Sequence, residues 1–344
     1  MTTGAELKQT LSSAGRITPR DMQGFIRSLL TGVLNDQDIL EGLKASNDYF
    51  GASLTPSEDF LVAASQIMLE FAVPFQAMHT SCDTCGTGGD GKHLFNISSL
   101  AALTVASCGF PVVKHGNRAV SGSFGSADFF EKIGIPIDLT PQDAQKTLEH
   151  SGFTFLFAPI YHPAMKYAAK ARKMIGTRTI FNCLGPLANP ARPNCQTIGV
   201  FSESLMLPML KASKQLGVGK VSIVHSEDGA DEVTTWCRTK ILTSRDSDSG
   251  SPQEIILEVQ ELGIRAAEMS DFQCANPDDA LSFADQILSG KTGKASDLVA
   301  LNAAVTIWTQ SESVTLKKAF DMAHAAIAEK KIRDLVAKIR KRTD

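Results

Sequence analysis

The feature of this sequence that most constrains its fold is a glycine-rich segment, Asp83–Ser99, which leads into an apolar helical run. Four glycines lie within six residues, at positions 86, 88, 89 and 91. Glycine adopts positive φ angles and lets another group approach the backbone closely. Asn96 and Ser98 are typical of a helix N-terminus, and the helical run Leu100–Cys108 follows them. A glycine loop that leads into a helix N-terminus can bind an anion through free N–H groups and the helix dipole.

The residues of this segment by themselves leave two interpretations open, an anion-binding loop and an ordinary glycine-rich turn. The segment is not a Walker A loop, because no Gly-Lys-Ser/Thr sequence occurs in it. Gly86, Gly88 and Gly91 have the letter spacing GxGxxG, but this short pattern alone is weak evidence, and we do not interpret the segment as a dinucleotide-binding fingerprint.

A second polar segment favours the first interpretation. Lys114–Arg118 follows the apolar run Phe110–Val113, which predicts basic and polar groups at the end of a strand, and a small-residue loop then extends to Asp128. Ligands bind at the carboxyl ends of strands in α/β sheets. We therefore expect both segments to contribute to one ligand site.

The order and spacing of these motifs resemble the anthranilate phosphoribosyltransferase family. The motifs that match are Asp83-x-x-Gly-Thr-Gly-Gly-Asp90, Asn96-Ile-Ser98, Lys114-His-Gly-Asn-Arg118, Gly125-Ser-Ala-Asp128, His162-Pro-Ala-Met-Lys166, Arg172, Gly176-x-Arg-Thr-x-Phe-Asn182, Leu184-Gly-Pro-Leu-x-Asn-Pro190 and Asp228-Gly-Ala-Asp-Glu232.

The resemblance implies both a reaction and a fold. The reaction transfers the phosphoribosyl group from phosphoribosyl pyrophosphate to the amine of anthranilate. It gives N-(5-phosphoribosyl)anthranilate and pyrophosphate, in tryptophan biosynthesis, with Mg²⁺ as cofactor. The implied fold is α/β, with a small N-terminal helical domain and a larger domain whose mostly parallel sheet is covered by helices. We expect residues 1–75 to form the helical domain, joined by roughly 163–185, and residues 76–344 to form the phosphoribosyl-binding domain. The resemblance also implies a homodimer formed through the helical domain.

The resemblance implies an extended donor site. The residues that match phosphoribosyl pyrophosphate-binding positions are Gly86, Gly89, Asp90, Leu94, Asn96, Ile97, Ser98, Ser99, Lys114, His115, Gly116, Asn117, Arg118, Ala119, Val120, Ser121, Gly122 and Ser126. Three of these depart from the family pattern. Leu94 and Ser99 stand where the family usually has threonine, and Gly122 replaces a usual serine. Leu94 and Gly122 therefore each lack a hydroxyl donor.

The acceptor and metal sites are also implied by the resemblance. The anthranilate positions are Gly86, Asn117 and Arg172, and the metal positions are Ser98, Asp231 and Glu232. An arginine can bind a carboxylate through two parallel hydrogen bonds, and hard oxygen ligands suit Mg²⁺. His115 is a possible catalytic residue, since it could hydrogen-bond to the ligand amine. From the residues alone, His115 could equally be structural, Arg172 could lie on a solvated helix face, and the acidic pair could form a solvated turn.

The hydrophobic pattern predicts helices first and α/β alternation afterwards. The predicted helices are Asp21–Thr31 starting near Thr18 and Pro19, Asp36–Ala45, a helix opened by a capping box at Thr55–Glu58, Pro141–His150 capped by Thr140, Ala164–Met174 and an amphipathic segment Leu316–Arg342. The predicted strands are Phe110–Val113, Phe153–Phe157, Thr197–Val200 and Val221–Val224, and Thr243–Glu254 is a predicted exposed loop.

Composition excludes several classes of protein. The 344 residues carry 34 Lys and Arg against 37 Asp and Glu, a net charge of −3, which disfavours a general nucleic-acid binder. No apolar run approaches the roughly 20 residues that span a membrane, and no signal peptide is recognised. We therefore expect a cytoplasmic protein. The seven cysteines include a Cys82–Cys85 pair without further zinc ligands at suitable spacing, so we expect reduced thiols.

Two other functions stay open at this point. A pyrimidine nucleoside phosphorylase has the same fold and would use phosphate and a nucleoside. A non-enzymatic relative could bind nucleic acid, and Leu316–Arg342 holds nine Lys and Arg against three acids. Retention of Asn117, Arg172 and the Asp231-Glu232 pair argues against the second of these. Basic residues near a helix C-terminus are also favoured by the helix dipole.

Overall fold

The computed structural model describes residues 2–13, 15–77, 80–118, 124–245 and 251–341. These ranges contain fifteen α-helices and seven strands. The helices are α1 Gly4–Ser12, α2 Pro19–Leu30, α3 Asp36–Phe50, α4 Glu58–Glu70, α5 Ile97–Ser107, α6 Ser126–Lys132, α7 Pro141–Ser151, α8 Ala158–Tyr161, α9 Lys166–Ile175, α10 Ile180–Leu187, α11 Met206–Gln215, α12 Pro277–Leu288, α13 Lys294–Gln310, α14 Leu316–Ala328 and α15 Lys331–Arg340. The strands are β1 Cys82–Gly86, β2 Val112–Gly116, β3 Phe153–Phe157, β4 Cys195–Gly199, β5 Lys220–Ser226, β6 Thr239–Thr243 and β7 Gln253–Leu257.

The seven strands form one sheet in the order β3-β2-β1-β4-β5-β6-β7. The pairs from β3 to β5 are parallel, and β6 and β7 are antiparallel. Side chains alternate between the two faces, so Ile223 joins one hydrophobic core and Val224 joins the other. Helices α5 and α13 pack on one face, while α11 packs against β5 on the other. The predicted α/β fold with a mostly parallel, helix-covered sheet is confirmed.

The N-terminal helices pack together and also contact a later part of the chain. Helix α1 packs on α3, and α2 packs on α4. Helix α9 packs against α3, and α10 and α11 pack against α4. Helices α9 and α10 therefore return to the N-terminal helices. The division into two domains stays a prediction.

Several predicted helix ends agree with the structure because their signals are local. Thr18 caps α2 in a capping box with Asp21, and Thr140 caps α7. The predicted capping box at Thr55 is wrong. Helix α4 begins at Glu58 after Ser57, while the Thr55 hydroxyl hydrogen-bonds to Ser204.

Two further predictions need correction. The C-terminal segment consists of two helices, α14 and α15, because Lys330 adopts a left-handed conformation with φ of 63° between them. Strand β1 contains Cys82 and Cys85 and was not predicted. It lies in the middle of the sheet, but its five residues mix apolar and polar types and show no strand pattern. Both cysteines are free thiols. Among the described helices, none combines the length and apolarity needed to cross a membrane.

Candidate active site

A large cleft lies at the carboxyl ends of β1 and β2. Its volume is about 1880 Å³. The loop after β1, the end of β2, helix α9 and the acidic pair Asp231-Glu232 all contribute to its walls. The cleft also reaches the N-terminal helices at Asn47 and Met68. The polar motifs predicted to form one site therefore do lie around one cavity.

The glycine loop after β1 is held in a defined conformation. Gly88, Gly89 and Gly91 have φ angles of 64°, 73° and 74°, which residues with side chains rarely adopt. The amide of Gly88 donates a hydrogen bond to Oδ2 of Asp231 over 2.6 Å. A Cβ built at Gly86 would lie 2.4 Å from the same oxygen, so the acid needs a glycine there. The glycine loop and Asp231 of the acidic pair therefore pack closely against each other.

The segment after α9 contacts the glycine loop from the opposite side. Asn182 donates a 3.2 Å hydrogen bond to the carbonyl of Thr87. Arg178 donates two hydrogen bonds to the carbonyl of Gly89, of 2.8 Å from Nε and 2.5 Å from Nη2. The guanidinium of Arg178 also lies 4.0 Å from the ring centroid of Phe201, which follows β4. The loop is therefore held by groups from the α9–α10 region, which in turn pack on the chain that follows β4.

A buried lysine lies beneath the loop. Nζ of Lys114 donates to the carbonyl of Thr84 over 2.5 Å and to the hydroxyl of Ser98 over 3.4 Å. Ser98 lies in the first turn of α5, where free N–H groups face the cleft side of the sheet. This places a positive charge and a helix N-terminus at the same end of the cavity. An anionic ligand would be stabilised by both.

The acidic groups on the cleft wall are strongly perturbed. Burial and the neighbouring Asp90 raise the pKa of Asp231 to about 7. Burial, followed by the charge of Asp231, raises the pKa of Glu232 well above its ordinary value, and Lys114 offsets only part of that increase. Buried carboxylates next to one another are costly when ionised. A bound cation would remove this cost.

Arg172 projects from α9 into the cleft. Its side chain is half-buried, and burial lowers the pKa of its guanidinium. The guanidinium lies 5.4 Å from the ring centroid of Phe181. Within the described ranges it has no carboxylate partner. A half-buried cation without an ion pair is available to an anionic ligand, which disfavours the interpretation of Arg172 as part of a solvated face.

Two histidines lie on the floor of the cleft. The ring centroids of His115 and His162 are 5.0 Å apart. Burial, with the positive charge of a protonated His162, lowers the pKa of His115 to about 3. His115 is therefore neutral at pH 7, and its Nε2 is buried without a hydrogen-bond partner among the described residues. His162 instead bonds through Nε2 to the carbonyl of Ala188 over 2.8 Å.

Most of the predicted site residues line the cleft. Those that do are Gly86, Gly89, Asp90, Leu94, Asn96, Ile97, Ser98, Lys114, His115, Gly116, Asn117, Arg118, Ser126, Arg172, Asp231 and Glu232. Ser99 is 1% exposed and is not part of the cleft surface. The guanidinium of Arg118 pairs with Asp128 and Glu131 at 2.6 and 2.9 Å. Ala119, Val120, Ser121 and Gly122 lie outside the described residues.

Sequence reasoning assigned no site role to several residues that line the cleft. These are Thr87, His162, Arg178, Phe181 and Asn182. All of them lie within motifs that carry the family resemblance, and this was the available signal. Arg178, Asn182 and His162 hydrogen-bond to backbone carbonyls, and such partners have no pattern that a sequence reveals.

Comparison with known proteins defines the class of the chain. Residues 79–331 match the family described as "Glycosyl transferase family, a/b domain". A curated anthranilate phosphoribosyltransferase from Stutzerimonas stutzeri (strain A1501) is 36% identical over 333 residues, covering 93% of this chain and 92% of that protein. The chain is therefore a glycosyltransferase of the pentosyltransferase type.

Solved structures agree with this class. The crystal structure of anthranilate phosphoribosyltransferase from Thermus thermophilus is similar, with a TM-score of 0.87 and 30% identity over 98% of both chains. The Saccharomyces cerevisiae enzyme, solved in complex with PRPP and Mg, has the same fold, with a TM-score of 0.87 and 23% identity over 98% of this chain and 96% of that one. This chain belongs to the anthranilate phosphoribosyltransferase family. The predicted family and enzyme class are confirmed.

Proposed function

We propose that this protein transfers the phosphoribosyl group of phosphoribosyl pyrophosphate to the amine of anthranilate, releasing pyrophosphate, as a step of tryptophan biosynthesis. The observation that carries the proposal is the meeting of two recognition regions in one cleft. One region has a glycine loop, a helix N-terminus and Lys114, which suits a phosphate ligand. The other presents Arg172, which suits a carboxylate.

The donor end binds and orients the anionic substrate. Free N–H groups of the glycine loop and of the first turn of α5 hydrogen-bond to phosphate oxygens. Lys114 supplies a positive charge that its contacts with Thr84 and Ser98 hold in place. Leu94 lines this region and provides no hydroxyl, so affinity there rests on backbone donors and on the remaining polar side chains.

The acidic pair fits Mg²⁺ by the chemistry of its donors. Asp231 and Glu232 offer hard carboxylate oxygens in a buried position where their mutual repulsion favours a cation. The described residues contain no group of three or more His, Cys, Asp or Glu arranged to hold a metal. This suits Mg²⁺, which is commonly bound by one or two carboxylates together with substrate phosphates. Bound there with the Ser98 hydroxyl nearby, Mg²⁺ would stabilise charge on the leaving pyrophosphate.

The acceptor end selects anthranilate through its carboxylate. Arg172 can form two parallel hydrogen bonds to this group, and Phe181 holds the guanidinium in place. Asn117 and Gly86 line the same cleft. An aromatic amine is neutral at pH 7, so attack on C1 of the ribose does not depend on a strong base. Neutral His115, with its free Nε2, can accept a hydrogen bond from that amine.

The helical region supports a further proposal, that the enzyme is a homodimer formed through it. Val33 and Met174 are 57% and 59% exposed, and Tyr167, which precedes Met174 on α9, lies against Gly32. Exposed apolar groups that share a face are typical of an interaction surface. Light scattering of the purified protein tests this.

The free thiols fit a reducing compartment such as the cytoplasm.

The reaction is tested by mixing protein, anthranilate, phosphoribosyl pyrophosphate and Mg²⁺ and by following the loss of anthranilate fluorescence. We expect a loss that requires all four components. The Arg172→Ala variant should consume much less anthranilate than wild type. The side chain of Lys170 pairs with Asp36 outside the cleft, so Lys170→Ala should consume anthranilate normally. Phosphorolysis of a pyrimidine nucleoside without any use of anthranilate would instead support the phosphorylase interpretation.

A further inference from the structure

The contact between Arg178 and Gly89 joins two parts of the cleft lining and has no role in the reaction as described above. Arg178 follows α9, six residues after Arg172, whereas Gly89 belongs to the donor loop after β1. Two guanidinium nitrogens donate to the single carbonyl of Gly89, at 2.8 and 2.5 Å. A carbonyl with two charge-assisted donors is held in a narrow range of directions.

Two further groups, the ring of Phe201 and the side chain of Asn47, contact Arg178. Its guanidinium lies over the ring of Phe201 at 4.0 Å from the centroid. The backbone amide of Phe201 in turn donates to the hydroxyl of Thr87 in the same loop, over 3.1 Å. The backbone carbonyl of Arg178 accepts a 2.8 Å hydrogen bond from the side chain of Asn47 in α3. The arginine therefore ties the donor loop to the N-terminal helices.

The orientation of this carbonyl has a direct consequence for the next residue. The peptide plane that contains the Gly89 carbonyl also contains the amide of Asp90, and in a trans peptide the two groups point in opposite directions. Gly89 has φ of 73°, and because glycine has access to many backbone conformations, this peptide could adopt other orientations without a partner. The contact with Arg178 favours one of these orientations, and in the structure the Asp90 side chain lies beside that of Asp231.

We propose that Arg178 is a positioning residue for the donor substrate, which locks the Gly89–Asp90 peptide so that the glycine loop is preformed for phosphoribosyl pyrophosphate. The proposal rests on the proposed function only in the identity of that ligand. Preorganisation of this kind lowers the cost of binding. It acts on donor affinity and leaves acceptor affinity nearly unchanged.

Calorimetry of phosphoribosyl pyrophosphate binding with Mg²⁺ tests the proposal, on wild type, Arg178→Gln and Arg178→Lys. We expect about 10-fold weaker binding for the glutamine variant, as for a lost charge-assisted hydrogen bond. The lysine variant should retain part of the affinity for phosphoribosyl pyrophosphate, because lysine can donate to the Gly89 carbonyl but lacks the planar guanidinium that stacks on Phe201. The KM for anthranilate should change less than about 2-fold.

Arg340 provides a matched control. It also donates from Nε and Nη2 to one carbonyl, that of Ile133, and it does not line the cleft. Arg340→Gln should lower thermal stability without weakening donor binding. Unchanged donor affinity in Arg178→Gln, or equal losses for both substrates together with a lower melting temperature, would overturn the positioning role. A wild type that binds the donor but does not consume anthranilate contradicts the proposed reaction alone, and one that binds no donor contradicts both.

Discussion

The backbone amide of Gly88 donates a 2.6 Å hydrogen bond to Oδ2 of Asp231, across 143 residues of sequence. This bond joins the glycine loop after β1 to the acidic pair proposed to bind Mg²⁺. The two motifs are adjacent because β1 pairs with β4 in the middle of the sheet and the chain returns after β5. Donor binding and metal binding are therefore expected to depend on each other.

The first prediction concerns the acidic pair. Asp231→Asn together with Glu232→Gln keeps the shape of the site but removes two carboxylates, so Mg²⁺ should bind weakly. Turnover should fall by at least about 100-fold, since charge on the leaving group is no longer stabilised. Glu227→Gln, which alters an exposed pair with Arg238, is the control and should leave turnover unchanged. Full activity of the double variant at limiting Mg²⁺ would rule out the assignment.

The second prediction is a pH dependence. The folded-state pKa of Asp231, about 7, lies above its ordinary value of 3.8, so protonated Asp231 favours the folded state. This contribution is complete below about pH 4 and is lost as the pH rises through about 7. The ligand-free Asp231→Asn variant should therefore gain stability relative to wild type as the pH is raised across this range. Thermal unfolding at several pH values measures this, and a difference that does not vary with pH would contradict it.

The third prediction concerns the donor loop. No described atom lies within 4 Å of a Cβ built at Gly88, so Gly88→Val introduces backbone strain and crowds the cleft without a clash in the protein. We expect loss of phosphoribosyl pyrophosphate binding by a folded protein. Gly217→Val is matched, with φ of 95° and open space around the Cβ, and Gly217 does not line the cleft. It should show similar destabilisation with normal binding. If both variants bind normally, the loop is only structural.

The fold and the site were predictable to different extents. Caps at Thr18 and Thr140 depend on neighbours three residues away, and both were found from the sequence. The motif at Thr55 has the same local pattern, but its hydroxyl bonds to Ser204, which is distant in sequence. Strand β1 is stabilised by neighbours on both sides, and no periodic pattern in its five residues indicates this.

The site residues were predicted from the resemblance to a known family, because the residues alone left a solvated helix face open for Arg172 and a solvated turn open for the acidic pair. The structure places all three side chains around one cleft, and their roles stay predictions. Arg178 and Asn182 stayed without a role because they act through backbone carbonyls of the glycine loop. A carbonyl is present at every residue, so the sequence contains no signal for such a partner.

The fourth prediction concerns His115. Burial and the neighbouring His162 keep the pKa of His115 at about 3, so the ring does not titrate near neutral pH. His115→Gln retains a hydrogen-bonding side chain and should lower kcat/KM for anthranilate by about 10-fold or less. The shape of the pH profile between about pH 6 and 9 should not change. Disappearance of an ionisation from that profile would show that His115 acts as an acid or base.

The last prediction concerns acceptor recognition. Arg172→Ala should lower kcat/KM for anthranilate by about 10- to 150-fold, which corresponds to a lost charge-assisted bond of about 1.5–3 kcal/mol. The change for phosphoribosyl pyrophosphate should be much smaller. Arg172→Lys should recover only part of the loss, because a point charge cannot form the two parallel bonds. Equal losses for both substrates, or none, would place the carboxylate site elsewhere.

The most direct test of the proposed activity is the stoichiometry of one reaction mixture. Wild-type protein with anthranilate, phosphoribosyl pyrophosphate and Mg²⁺ should release one pyrophosphate for each anthranilate consumed, and neither change should occur when either substrate is omitted. Pyrophosphate release without loss of anthranilate, or no turnover of either substrate by a folded protein, would contradict the account.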